Sequence, residues 1–369
     1  MRLEDLIGQA RAAAVLRNAI LRDRAAHAYL FRGPEGVGKS TAALLFAQAL
    51  NCQRKTPSDL ASACGECRSC TLIARGSHPD VRFVIPAGDS QTSVIPIDDI
   101  RRGFVYDINL KPAFGRYKIY ILDPADRTAH LAIHTILKAL EEPPPYVVTI
   151  LVTALPASLP PTIPSRCQNI TFQLAGIQAV EHHLLTLGLQ PAAASSLARL
   201  SGGRIAWAVR AAARPEVLAA RKAILDLCAD LHRRPVPAGL RLAEDIKLHA
   251  LALAATRRDA EAQAQADDET ERAAPARSFR GDRVLRSELP WCLDVIVSWY
   301  RDLLAAPRGG ALLNPDYQNL LNTGQGPRSP LQEDHAIRAI LETRHSLQRN
   351  ANIDLALESL AIKLLSGGD

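Results

Sequence analysis

The stretch GPEGVGKS, residues 33–40, stands between a short apolar run, AHAYLFR (26–32), and a run of strong helix formers, STAALLFAQALN (40–51). Strand, glycine-rich loop and helix in that order make a phosphate-gripping loop. Gly33, Gly36 and Gly38 let the backbone curl until successive N–H groups point at phosphate oxygens. The following helix adds the partial positive charge of its N-terminus. Lys39 is then placed to reach the outer phosphates of a nucleotide and the Ser40 hydroxyl to ligate Mg²⁺, so ATP with Mg²⁺ is the cofactor this loop implies.

Working outward, DVRFVIP (80–86), YKIYILD (117–123) and VVTILVTA (147–154) predict further strands. IDDIRRGFVYDINL (97–110) and AHLAIHTILKALEE (129–142) predict helices, and LEDLIGQARAAAVLRNAILR (3–22) predicts a single opening helix. Strands alternating with helices imply an α/β domain with a parallel sheet covered on both faces, here residues 1–172. PPTIPSRCQNITF (160–172) leads out of that layer, and no strand is expected after it. Short helices joined by Gly and Pro then predict a small helical lid over 173–213, and longer ones an all-α domain over 214–369. Residues 257–283 are polar and charged and read as a solvated helix end followed by a flexible loop.

The second half of a nucleotide site should close the strand IYILD. Asp123 stands there, where an acidic residue holds the Mg²⁺ shell. Many nucleotide hydrolases carry a glutamate at the next position, which polarises the attacking water. Here that position is Pro124, which has no carboxylate. Asp126, three residues past Asp123, is the alternative base that a motor reading would need, with its shorter side chain and different heading against it. The binding residues are present and the hydrolytic base is missing.

Cys64, Cys67 and Cys70 lie at two-residue gaps in CGECRSC, and Cys52 precedes them by twelve positions. Four thiolates so spaced in a reduced protein suit a closed, tetrahedral structural Zn²⁺ site over residues 52–70. An iron–sulfur cluster takes the same ligands, but no redox partner motif accompanies them. Cys167, Cys228 and Cys292 are isolated and read as core residues.

The bulk composition fits this reading. The chain has 369 residues, 47% hydrophobic and 22% charged, with a net charge of +6. That balance is compatible with a polyanionic partner without demanding one. No apolar stretch is long enough to span a membrane and the start, MRLEDLIGQA, lacks a signal-peptide core, so a cytoplasmic location without membrane attachment is expected.

Taken together, HAYLFRGPEGVGKS, CGECRSC, GSHPDV (76–81), GRYKIYILDPAD (115–126), ILKALEEPP (136–144) and TIPSRCQ (162–168) resemble, in order, the bacterial sliding-clamp loaders, AAA+ proteins of the DNA polymerase III holoenzyme. The resemblance is strong to about residue 210. Beyond it, only SWYRDLL and NANIDLALESLAIKLL fit loosely. Within the family, GSHPDV and Pro124 are more similar to the delta-prime type than to the gamma/tau motor type. The resemblance implies a role in DNA replication, in a ring with gamma/tau and delta subunits that places a sliding clamp on primer–template DNA. It implies that Arg166, in Ser165-Arg166-Cys167, reaches a neighbour's nucleotide as an arginine finger; an ordinary surface-loop arginine is the plain alternative. Thr153 matches the sensor-1 position, Arg204 the sensor-2 position, and Ile7 with Gly8 the adenine-pocket segment. His78 and Asp80 are read as fixing a loop, Glu141 and Glu142 as an ordinary helix end. Arg101, Arg102 and Lys111 are candidate phosphate contacts for DNA, or solvated helix residues. Two other readings stay open: an ATP-hydrolysing motor of the same ring, and a P-loop protein whose zinc module docks other macromolecules.

Overall fold

A computed structural model describes residues 2–54, 61–86, 95, 107–128, 130–231, 237–266, 280–322, 330–349 and 351–366. The chain forms two compact units, Met1–Thr186 with Ser201–Ala208, and Leu187–Leu200 with Val209–Asp369.

The first unit is built on five parallel strands: β1 Ala28–Arg32, β2 Val81–Val84, β3 Lys118–Leu122, β4 Val147–Thr153 and β5 Gln168–Thr171. Their order across the sheet is β2-β3-β4-β1-β5. Because successive side chains alternate across a strand, one sheet feeds two cores. Tyr29, Phe31, Ile119, Ile121, Ile150 and Val152 turn to one face, where they meet Leu16 and Ile20 of helix α1 (Ala10–Leu21) and Phe46 and Leu50 of helix α2 (Lys39–Asn51). Leu30, Tyr120, Leu122 and Leu151 turn to the other. There they meet Ile133, Ile136 and Leu140 of helix α4 (His130–Glu141), which follows the short helix α3 (Arg68–Ala74) in the chain. Burial on both faces explains why β3 and β4 read as nearly unbroken apolar runs.

Two expectations need correction. The opening segment is not one helix. A 3₁₀ turn, Leu3–Asp5, is separated from α1 by Gly8 at φ 72°. The segment leading out of the sheet contains its own strand, β5, which pairs with β1 from Tyr29↔Gln168 to Arg32↔Thr171. It is an edge strand with only Ile170 buried, so its sequence carries no apolar run. The helix expected over 97–110 lies for the most part outside the described residues, as do Arg101 and Arg102. Lys111 is exposed.

The short helix α5 (Thr162–Arg166) leads directly into β5, and α6 (Ile177–Thr186), α7 (Pro191–Ser201) and α8 (Ile205–Ala212) follow that strand. The remaining helices are α9 (Pro215–Leu231), α10 (Pro237–Ala266), α11 (Arg280–Ala305), α12 (Gln318–Asn322), α13 (Pro330–Gln348) and α14 (Ile353–Ser366). Of the polar stretch 257–283, residues to 266 continue α10 and residues from 280 begin α11; 267–279 lie outside the described residues. In the second unit a buried polar knot ties α9 and α11 to the segment before α12. Arg221, 4% exposed, donates two bonds to Asp316 and one to Asn314. Asn314 is held in turn by the fully buried Asp302. Among the described residues no helix is long and apolar enough to cross a membrane.

Candidate nucleotide site and four-cysteine cluster

The parallel register brings the ends of three strands together. Arg32, which leads into the glycine loop, lies beside Thr153 at the end of β4; Leu122, just before Asp123, lies beside Leu151. Ligands of open α/β sheets bind at this carboxyl end. Gly38 caps α2 at φ 96°, a left-handed conformation that side chains resist. Gly33 has no room for one, since a Cβ there would lie 2.2 Å from the Phe172 carbonyl oxygen.

Lys39 is buried, and its Nζ donates to the Gly33 carbonyl at 2.7 Å and the Pro34 carbonyl at 2.6 Å. Burial holds its pKa below the usual lysine value, opposed by Asp123, Glu35 and Asp126 nearby. Asp123 is shifted the other way. Burial raises its carboxyl, while a hydrogen bond from Ser40 and the Lys39 charge oppose the rise. Ser40 therefore lies beside Asp123, as a second ligand of one cation shell would. A Mg²⁺ ion held by Ser40 and Asp123 would relieve the carboxylate's burial and neutralise phosphate charge. These donors fit Mg²⁺-nucleotide.

Asp126 belongs to this site, although its heading in the sequence suggested otherwise. Its Oδ1 accepts the Thr153 hydroxyl at 2.5 Å and the Ala154 N–H at 3.2 Å. Arg204 also comes to the loop: its Cβ lies 3.2 Å from where a Gly36 Cβ would be, and the Ala206 N–H donates to the Gly36 carbonyl at 2.9 Å. The sequence reading missed Gln9. This buried side chain donates to the Val37 and Gln173 carbonyls and accepts the Gln173 N–H, tying the loop to the segment after β5. The signal was a polar residue directly after Ile7 and Gly8, which drew attention in its place. Gly8 lies close against Ala175.

The four cysteines converge as their spacing requires. The Sγ atoms of Cys52, Cys64, Cys67 and Cys70 all lie within 4.8 Å of one another. A tetrahedral zinc with Zn–S near 2.3 Å needs sulfurs about 3.8 Å apart, so the cluster fits with a small contraction. Backbone N–H groups of Cys64, Cys67 and Cys70 already point at sulfur, with N···S distances of 3.3 to 3.5 Å. Burial pushes Cys67 up, but N–H donors from Cys70 and Gln53 and the neighbouring thiols outweigh it and bring the thiol to about 6. Burial raises Cys52 and Cys70. The arrangement is that of a closed structural site, with no position left for substrate. Cys167 and Cys228, both buried, are pushed up to about 12 and are inert.

The cluster is wired to β3. Ser69, between two of the cysteines, is 3.1 Å from His78 Nε2. His78 Nδ1 accepts the Asp80 N–H at 3.0 Å. The Asp80 carboxylate accepts the N–H groups of Ala113, Phe114 and Gly115 at 2.6 to 2.7 Å. Asn51, at the end of α2, holds Arg116 and Tyr117 in the same way. The loop into β3, and so Asp123 at its end, is fixed from two sides. Neither Asn51 nor the partners of Asp80 could be found from sequence, because both act on backbone groups far along the chain.

Arg166 lies at the surface at the end of α5. Its Nη2 is 2.9 Å from Glu141 Oε1, and Nη1 donates to the Thr162 carbonyl at 3.2 Å.

A family model described as "DNA polymerase III, delta subunit" matches residues 8–175. DNA polymerase III subunit tau of Bacillus subtilis is 40% identical over 179 residues, which are 48% of this chain and 30% of that protein. Subunit delta' of the same organism is 34% identical over 230 residues, 61% of this chain and 66% of that protein. Subunit delta' of Pseudomonas aeruginosa is 39% identical over 184 residues, 49% and 54% of the two chains. These matches support the clamp-loader family. The chain spans less than two thirds of the length of each of these relatives, and both subunit types are among them.

Proposed function

We propose that the chain is a delta-prime type clamp-loader subunit acting in DNA replication. It assembles with gamma/tau motor subunits and a delta subunit, retains a nucleotide site without turning nucleotide over, and gives Arg166 to its neighbour's ATP while the ring loads a sliding clamp onto primed DNA. The observation that carries this is the mismatch within one site. Lys39, Ser40 and Asp123, gathered at one end of the sheet, support a Mg²⁺-nucleotide site, yet the residue after Asp123 is Pro124, which has no carboxylate to polarise water. The zinc held by Cys52, Cys64, Cys67 and Cys70 is structural. An arginine at the γ-phosphate neutralises charge in the transferring group and is worth about 10³–10⁵ in rate in other nucleotide hydrolases.

The test is phosphate release by the assembled loader with clamp and primed DNA. Arg166→Ala in this chain should leave assembly intact and cut stimulated hydrolysis by a large factor; full activity would reject the reading. A second reading, a gamma/tau-like motor, is favoured by the 40% identity to the tau subunit. Brisk phosphate release by the isolated wild-type chain would establish that reading instead.

A further inference from the structure

We propose that Glu141 is a positioning residue for Arg166, holding the guanidinium oriented before it meets a neighbour's nucleotide; this rests on the reading of Arg166 as an arginine given in trans. Glu141 is the last residue of α4 and Arg166 the last of α5. Both helices are mounted on the same buried layer: Ile136 and Leu140 of α4 and Ile163 of α5 share one core cluster with Cys167, the residue after Arg166. The two charged side chains therefore project from a rigid floor.

The contacts fix the plane of the guanidinium. Nη2 is held by Glu141 Oε1 and Nη1 by the Thr162 carbonyl, 2.9 and 3.2 Å away. A guanidinium has five N–H donors in one planar fork, and these two contacts leave three to offer to phosphate oxygens. The side chains are 36% and 50% exposed, so the pair adds little to folding stability. Its effect lies in orientation: an arginine already held need not freeze its rotamers when it makes contact. Of the two adjacent acids it is Glu141, not Glu142, that faces the guanidinium.

The experiment uses the complete loader reconstituted with chains carrying Glu141→Gln, Arg166→Ala or both. Exposed ion pairs shift equilibria by about two- to fivefold, so Glu141→Gln should lower kcat of stimulated hydrolysis by about that factor. The KM for ATP, ring assembly and the melting temperature of the chain should not move. The double variant should hydrolyse no more slowly than Arg166→Ala alone, because Glu141 acts through Arg166. Wild-type kcat in Glu141→Gln, or a loss that multiplies with that of Arg166→Ala, overturns this inference while leaving the arginine's role standing. Full activity in Arg166→Ala overturns both.

Discussion

The Asp80 carboxylate accepts the Gly115 N–H at 2.6 Å, and with Ala113 and Phe114 it gathers three backbone donors from the loop that enters β3. Asp80 is 1% exposed, so these donors, rather than bulk water, stabilise its carboxylate. Asp80→Asn keeps the shape but turns one acceptor oxygen into a donor facing other donors. The expected cost is about 3 kcal/mol, from the lost charged hydrogen bonds and the donor left unpaired. Thermal unfolding should show a drop of several degrees in Tm, and an unchanged Tm would contradict this account of the loop.

His78 sits on the same path, and burial holds its pKa below the ordinary 6.5, with the Asp80 charge opposing. The unfolded chain therefore binds a proton that the folded chain resists. Stability is full above pH 6.5 and is lost as the pH falls through 6.5 toward the lower folded value. One such group changes stability by at most about 1.4 kcal/mol per pH unit. Between pH 7.5 and 5, Tm of the wild type should decline more steeply than that of His78→Gln; equal slopes would remove His78 from the explanation.

How far this was readable in advance depended on where each signal sat. The phosphate loop was legible because strand, glycines, lysine and helix are consecutive. The cysteine cluster was legible because three of its four thiols lie within seven residues, 64–70. The central strands β3 and β4 were legible because burial on both faces leaves them almost wholly apolar. β5 was not, since an edge strand buries only Ile170 among Gln168, Asn169 and Thr171. Gln9, Asn51 and the Thr153–Asp126 bond were invisible for a different reason. Each joins groups far apart in sequence, and polar residues of these types are usually solvated.

The cysteine cluster predicts a metal content. The chain should carry about one Zn²⁺ by elemental analysis, with four sulfur ligands in its absorption spectrum. Cys67→Ala removes the thiol with the most acidic character and should lose the metal. Strong chelators should lower the Tm of the wild type, because binding energy at such sites is folding energy. A wild-type chain that is free of metal and unchanged in Tm would show that the four thiols pack without an ion.

The Thr153–Asp126 bond decides how Asp126 should be tested. Asn in its place keeps an oxygen for the Thr153 hydroxyl and the Ala154 N–H, both of which bond the single oxygen Oδ1. Asp126→Asn therefore removes charge while the local geometry stays. If Asp126 activated water in place of the missing glutamate, its loss would cost about 10²–10⁴-fold in turnover, the usual contribution of a general base. The expected outcome is different. The Asp126 carboxylate accepts the Thr153 hydroxyl and the Ala154 N–H, and on the proposed reading Pro124 stands where a water-polarising glutamate would be. Phosphate release by the isolated chain should stay at background for wild type and Asp126→Asn alike. Mg²⁺-nucleotide binding should be lost in Lys39→Ala and persist in Asp126→Asn, because on the proposed reading the cation would be held by Ser40 and Asp123. Measurable turnover in the wild type that vanishes in Asp126→Asn would make Asp126 the base and favour the motor reading of this chain.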